Sequence, residues 1–158
     1  MAEEKYLAEY EKSVAGNYLK RSRGVLYNVM TKGAADYTLL QEESGSVVLL
    51  DATDASAGVS ITLPAVKAGC SYKFHVLEDT PSQIITIAAG SAIIFGNFHE
   101  AEVDTSDDGP GSSGATGVSN IIVGTGSKKG DRFELICDGT NWFLSYAQVQ
   151  ADGTITTS

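Results

Sequence analysis

From Tyr37 onward the chain reads as short apolar runs, alternating in period two and bounded by turn residues, a pattern that predicts strands. Ser46–Asp51 is expected as a buried strand. In Gly58–Pro64, Val59, Ile61 and Leu63 fall to one side and Ser60 and Thr62 to the other. Pro64 lacks a backbone donor, so that strand stops there or lies at an edge. Tyr72–Leu77 places Tyr72, Phe74 and Val76 on one face, and Gln83–Ile87 and Ala92–Phe95 are expected as neighbouring strands. Strand character returns at Ser119–Val123. Arg132–Cys137 and Trp142–Ala147 then read as a hairpin joined through Asp138-Gly139-Thr140-Asn141, with Asp-Gly as its turn signal. Phe133, Leu135 and Cys137 alternate inward; the partner strand offers either Trp142 and Leu144 or Phe143 to the same core, depending on register. Strands at this spacing without intervening amphipathic helices predict an all-β domain, a compact β-sandwich, jelly roll or barrel-like body.

Two segments break the pattern. Glu3–Lys12 holds good helix formers with early acidic side chains, and Tyr6, Tyr10 and Val14 recur at helical spacing. So short a helix is marginal alone, which makes the segment a short, partly helical N-terminal arm that needs a surface to pack on. Lys20, Arg21 and Arg23 follow as a compact basic patch that suits an acidic neighbour. Residues 104–117 are Asp, Gly, Ser and Thr with little to bury, and are expected as a long surface loop. The chain therefore divides into an assembly arm (1–24), a β-rich body (25–149) and a C-terminal tail (150–158).

Composition narrows the partners. The 158 residues carry 11 Lys and Arg against 20 Asp and Glu, a net charge of −9 that opposes bulk attraction to nucleic acid. With 42% hydrophobic residues the chain can bury one ordinary core, yet no window approaches the unbroken apolar length of a membrane helix. Met1-Ala2-Glu3-Glu4-Lys5 lacks the basic start of a signal peptide. The two cysteines, Cys70 and Cys137, read as reduced core thiols, with a single bridge between them left open.

The chemical candidates each have a plainer explanation. His75 lies in a Tyr/Phe/Val strand and His99 follows Asn97-Phe98; neither sits in a nucleophile or zinc arrangement. Gly124–Gly130 resembles an anion-binding loop until the order is checked: Gly130 is followed by Asp131 and Arg132, where a phosphate loop needs Lys and a hydroxyl, so it reads as a flexible strand connection. Asp104, Asp107 and Asp108 lack the regular oxygen spacing of a calcium loop. No cofactor, metal or catalytic residue is expected, and an enzyme is not. Trp142 is expected as a core anchor whose burial is worth roughly 3 kcal/mol, with an indole N–H that needs a partner.

Ile61-Thr62-Leu63-Pro64, Ala68–Phe74 and Leu135–Trp142, with its Asp-Gly-Thr-x-Trp hairpin, together resemble a recurrent β-rich domain of tailed-phage structural proteins, over roughly Val25 to Val149. The resemblance implies structural roles for Leu63, Pro64, Gly69, Phe74, Asp138, Gly139 and Trp142, and no enzyme site. Small size and an N-terminal arm make it most similar to capsid decoration (cement) proteins. That implies a non-enzymatic role on the outer capsid surface of a virion, as a homotrimer bound to the major capsid protein, with Tyr6, Tyr10, Lys20, Arg21 and Arg23 as candidate assembly contacts and no nucleic acid or membrane partner. The alternative is a tail-fibre or receptor- and glycan-binding β-domain; extensive repeats and a heptad stalk, which a long fibre would carry, are missing.

Overall fold

The computed structural model describes residues 28–100, 112–150 and 155–158. The expected arm with Tyr6, Tyr10, Lys20, Arg21 and Arg23, and the acidic residues Asp104, Asp107 and Asp108, lie outside them.

Twelve strands are described: β1 (Val29–Lys32), β2 (Tyr37–Thr38), β3 (Val47–Leu50), β4 (Val59–Thr62), β5 (Ser71–Val76), β6 (Ile85–Ala88), β7 (Ile94–Glu100), β8 (Ser112–Val118), β9 (Asn120–Val123), β10 (Arg132–Cys137), β11 (Trp142–Val149) and β12 (Ile155–Thr157). The one helical element among the described residues is a 3-10 turn at Gln41–Glu43. The strands form two mixed sheets, β1-β3-β5-β10-β11-β7-β8 and β12-β9-β6-β4-β2, packed face to face as a β-sandwich.

The first six strands alternate between the sheets. β1, β3 and β5 lie parallel in one, β2, β4 and β6 parallel in the other. A parallel pair needs a crossover, usually a helix; here each return is made by a strand of the opposite sheet, so the chain winds as a two-sheeted coil and parallel pairing arises without helices. The register stacks Val48 beside Phe74 and Ile61 beside Ile87, so one inward set continues through successive windings. Beyond β6 the new neighbours are mostly antiparallel, and β10–β11 is the expected hairpin.

Alternation fills the core as the sequence predicts. Val59, Ile61 and Leu63, Tyr72, Phe74 and Val76, and Phe133, Leu135 and Cys137 are all buried. Phe74 stacks on Phe133 with centroids 4.9 Å apart, and Phe98 meets Phe133 edge-on at 6.0 Å. The open register of the last strand is resolved: Trp142 is fully buried, opposite Cys137, and Phe143 turns outward to stack on Phe95. β4 ends at Thr62, two residues before the buried Pro64, in the interior of its sheet.

Several expectations are corrected. β6 and β7 are consecutive but belong to opposite sheets, because the five residues 89–93 between Ala88 and Ile94 suffice to cross the sandwich edge. Of the expected loop 104–117, Ser112–Gly117 belongs to β8, paired antiparallel with β7; backbone hydrogen bonds supply what small side chains do not. The stretch 150–158 contributes β12, with Ile155 buried and the strand paired to β9. Gly124–Gly130 is pinned rather than flexible. Buried Asp131 accepts the Lys128 and Gln150 amides at 2.8 Å, Lys129 N–H donates to Asp79 at 2.9 Å, and Gly130 N–H donates to the Val76 carbonyl at 2.9 Å.

Two glycines allow close approach. At Gly33 (φ +133°) a Cβ would lie 2.3 Å from the Asp51 carbonyl oxygen, and at Gly96 (φ +138°) it would lie 2.5 Å from Leu144 Cβ. The second site faces a bulge in β11: Glu134 opposes Tyr146 and Leu135 opposes Leu144, which leaves Ser145 extra.

Candidate assembly surface

The residues singled out by the late hairpin and the early Gly turn meet at one end of the sandwich. Lys67–Cys70 is a tight turn closed by the Cys70 amide donating to the Lys67 carbonyl at 3.0 Å, with Gly69 at φ +83°. Gly69 N–H donates to the Cys137 carbonyl and Cys137 N–H to the Cys70 carbonyl, each at 2.8 Å, so Gly69 and Cys70 together oppose one residue of β10, a glycine bulge. Across it, Asp138 accepts the Thr140 and Asn141 amides at 2.7 and 2.8 Å, which holds its carboxyl below the usual range and shapes the Asp138–Asn141 turn. A Cβ on Gly139 (φ +104°) would lie 3.4 Å from the Ala68 Cβ, so the two turns touch. Leu63, Phe74 and Trp142 are buried in the core.

Cys70, directly before β5, and Cys137, the last residue of β10, are free, buried thiols. Tyr72 commits its hydroxyl hydrogen to the Leu40 carbonyl at 2.6 Å, so at 3.3 Å the Cys70 thiol donates to the Tyr72 oxygen. Cys137 Sγ accepts the Gly139 amide at 3.3 Å. Trp142 packs beside the Tyr72 ring at 5.9 Å, but its Nε1–H has no acceptor. The partner expected for it is missing. A recess beside this junction, about 160 Å³, is lined by Gln41, Ser44, Lys67, Ala68, Gly69 and Cys70.

The outer face of the seven-stranded sheet carries exposed polar, aromatic and aliphatic side chains. Register arranges them in rows across the strands. One runs Leu49, His75, Arg132, Gln148 and His99; another runs Val29, Val47, Lys73, Glu134 and Tyr146; a third runs Ser71, Ile136, Phe143 and Phe95. Tyr146 is 47% and Ile136 42% exposed, so the middle of the face is an aromatic and aliphatic surface. Arg132 is braced there: it donates to Tyr146 Oη at 3.1 Å and to Gln148 Oε1 at 2.8 Å, and its guanidinium lies 5.5 Å from the Tyr146 ring centre. Tyr146 in turn donates to Gln148 at 2.7 Å.

The two histidines share a row but not a site. His75 on β5 and His99 on β7 are separated by β10 and β11, three inter-strand steps or about 14 Å. Partial burial, then Arg132 and Lys73, hold the His75 imidazole below its ordinary value, which keeps it neutral near pH 7. Among the described residues no three His, Cys, Asp or Glu side chains gather as a metal site.

The outer face of the five-stranded sheet is chemically different. Ser60, Thr62, Thr86 and Asn120 line it without a charge among those four positions. Sequence reasoning found the alternating strands and the late turn but missed β8, β12 and the braced Arg132–Tyr146–Gln148 group. Its signal was the outward phase of the final hairpin, read only after register was known. The chain matches no protein-family model, and no curated protein is significantly similar to it.

Proposed function

We propose that this chain is a non-enzymatic virion structural protein that binds the outer surface of a phage capsid, as a homotrimer on the major capsid protein, and stabilises the shell. The observation that carries the reading is convergence. The Leu63-Pro64, Gly69 and Asp138-Gly139-Thr140-x-Trp142 signals of the resemblance lie far apart in sequence, yet the two turns touch and Leu63 and Trp142 are buried. The touching turns form one structural unit, and this supports the reading.

Decoration is binding without chemistry. A β-sandwich preceded in sequence by Tyr6 and Tyr10 and by a basic run at Lys20, Arg21 and Arg23 engages several symmetric sites at once, and the linked binding free energies oppose rupture of the shell. The test compares wild-type and arm-truncated protein for occupancy of mature capsids. Loss of occupancy on truncation is expected; unchanged occupancy rejects arm-mediated anchoring, and no binding by either protein rejects decoration.

A second reading, a tail-fibre or glycan-binding domain, is favoured by one feature: the exposed Tyr146 beside Arg132 and Gln148, a stacking ring with adjacent hydrogen-bonding groups. Trp142 is removed from any such role by its burial. Saturable binding to host-surface glycans without capsid binding selects this reading.

A further inference from the structure

We infer that in the free protein the segment Glu3–Val14 seats on the outer face of its own seven-stranded sheet, across β10 and β11. The inference goes beyond capsid decoration and does not rest on it.

Charge and apolar character are complementary. The described outward positions of β5, β7, β10 and β11 carry Lys73 and Arg132 against Glu134, a slight cationic bias on a chain of net charge −9. Ile136, Tyr146 and the stacked Phe95–Phe143 pair, centroids 5.7 Å apart, form the apolar part of the same surface. The segment offers the converse: Glu3, Glu4, Glu9 and Glu11 against Lys5 and Lys12, with Tyr6, Tyr10 and Val14 on one helical face. Seating would supply the tertiary support that so short a helix requires. The tyrosine rings would meet aromatic and aliphatic neighbours, and the carboxylates would flank Arg132.

The tether favours the chain's own sheet. The segment rejoins the described structure at Asn28, directly before β1, the edge strand of this same sheet. From β1 to β11 is four inter-strand steps, about 19 Å. Residues 15–27 could span up to about 45 Å if extended. The distance is well within reach, and a short tether places the segment at a millimolar effective concentration over its own sheet. Lys20, Arg21 and Arg23 fall within the tether and stay available to an acidic neighbour.

The test uses the full-length chain with photoreactive benzoylphenylalanine in place of Tyr10. Equal amounts of isotopically labelled and unlabelled protein are mixed before irradiation, so that adducts within one chain are told from those between chains. The expected result is within-chain adducts mapping to 132–137 and 142–149. Arg132→Glu, an exposed change, lowers their yield about fivefold, and Ile136→Ser, made separately, lowers it also. Adducts on other parts of the chain, adducts only between chains, no adducts, or yields indifferent to both substitutions overturn the inference. Capsid occupancy is measured separately: a protein that decorates capsids without these adducts keeps the proposed function and loses this inference.

Discussion

Asp131 offers the sharpest test of how the loops hold the sandwich. Its side chain is fully buried, and its two carboxylate oxygens accept the Lys128 and Gln150 amides at 2.8 Å. It ties the entrance of β10 to the exit of β11. Asp131→Ala leaves both donors without an acceptor. Each partly buried amide so orphaned costs about 1.5 kcal/mol, for a loss of about 3 kcal/mol, against a total of about 5–15 kcal/mol for a domain. For a chain of this length that lowers the Tm by about 9 °C. Asp131→Asn retains one acceptor but turns an amide donor toward the other N–H, so it is expected to lose an intermediate amount. Urea denaturation at neutral pH, with the m-value unchanged, reads the free energies. The pH dependence supplies a second check. Burial raises the Asp131 carboxyl above its ordinary value, outweighing the two amides that lower it. The folded state therefore binds its proton more tightly than the unfolded chain does, and this contribution to stability is fully present below the unfolded value of 3.8 and declines as pH rises through the folded one. The advantage of wild type over Asp131→Asn shrinks on going from acid to neutral pH. An alanine loss below about 1 kcal/mol, or an advantage that grows with pH, refutes the reasoning.

Two further outcomes follow from the geometry. Gly96→Ala drives a Cβ to 2.5 Å from Leu144 Cβ at φ +138°, whereas Gly45→Ala, at φ +84°, meets nothing within 4 Å; thermal melts should show a loss of about 3 kcal/mol for the first and about 1 kcal/mol for the second, and equal losses would refute the clash. His75 is held below its ordinary value of 6.5 by burial and then by Arg132 and Lys73, so its contribution to stability is present above 6.5 and lost as pH falls through the folded value. His75→Gln should flatten that part of the pH–Tm curve, and an unchanged slope would sink the assignment.

The sequence by itself determined the inward sets: strict alternation at Val59–Leu63, Tyr72–Val76 and Phe133–Cys137 names the buried faces because side chains in a strand change sides at every residue. It also determined the final hairpin, since Asp138-Gly139 is a turn whose chemistry is local. Alternation says which face a residue takes, not which strand lies beside it. That was decided only in the tertiary structure, where each parallel neighbour among β1–β6 lies one winding away in the chain, with a strand of the opposite sheet between. β6 and β7 look adjacent in sequence and part across the sandwich for the same reason. Ser112–Gly117 gives no apolar signal, because β8 forms through backbone pairing to β7. The candidate surface was legible only in fragments: Arg132, Tyr146, Gln148 and the outward Phe143 come together through a bulge at Ser145 that no local pattern marks. Local chemistry sets turns and faces, while neighbours and surfaces depend on long-range register, which the core enforces by burying one side of strands such as β3, β4, β5 and β10.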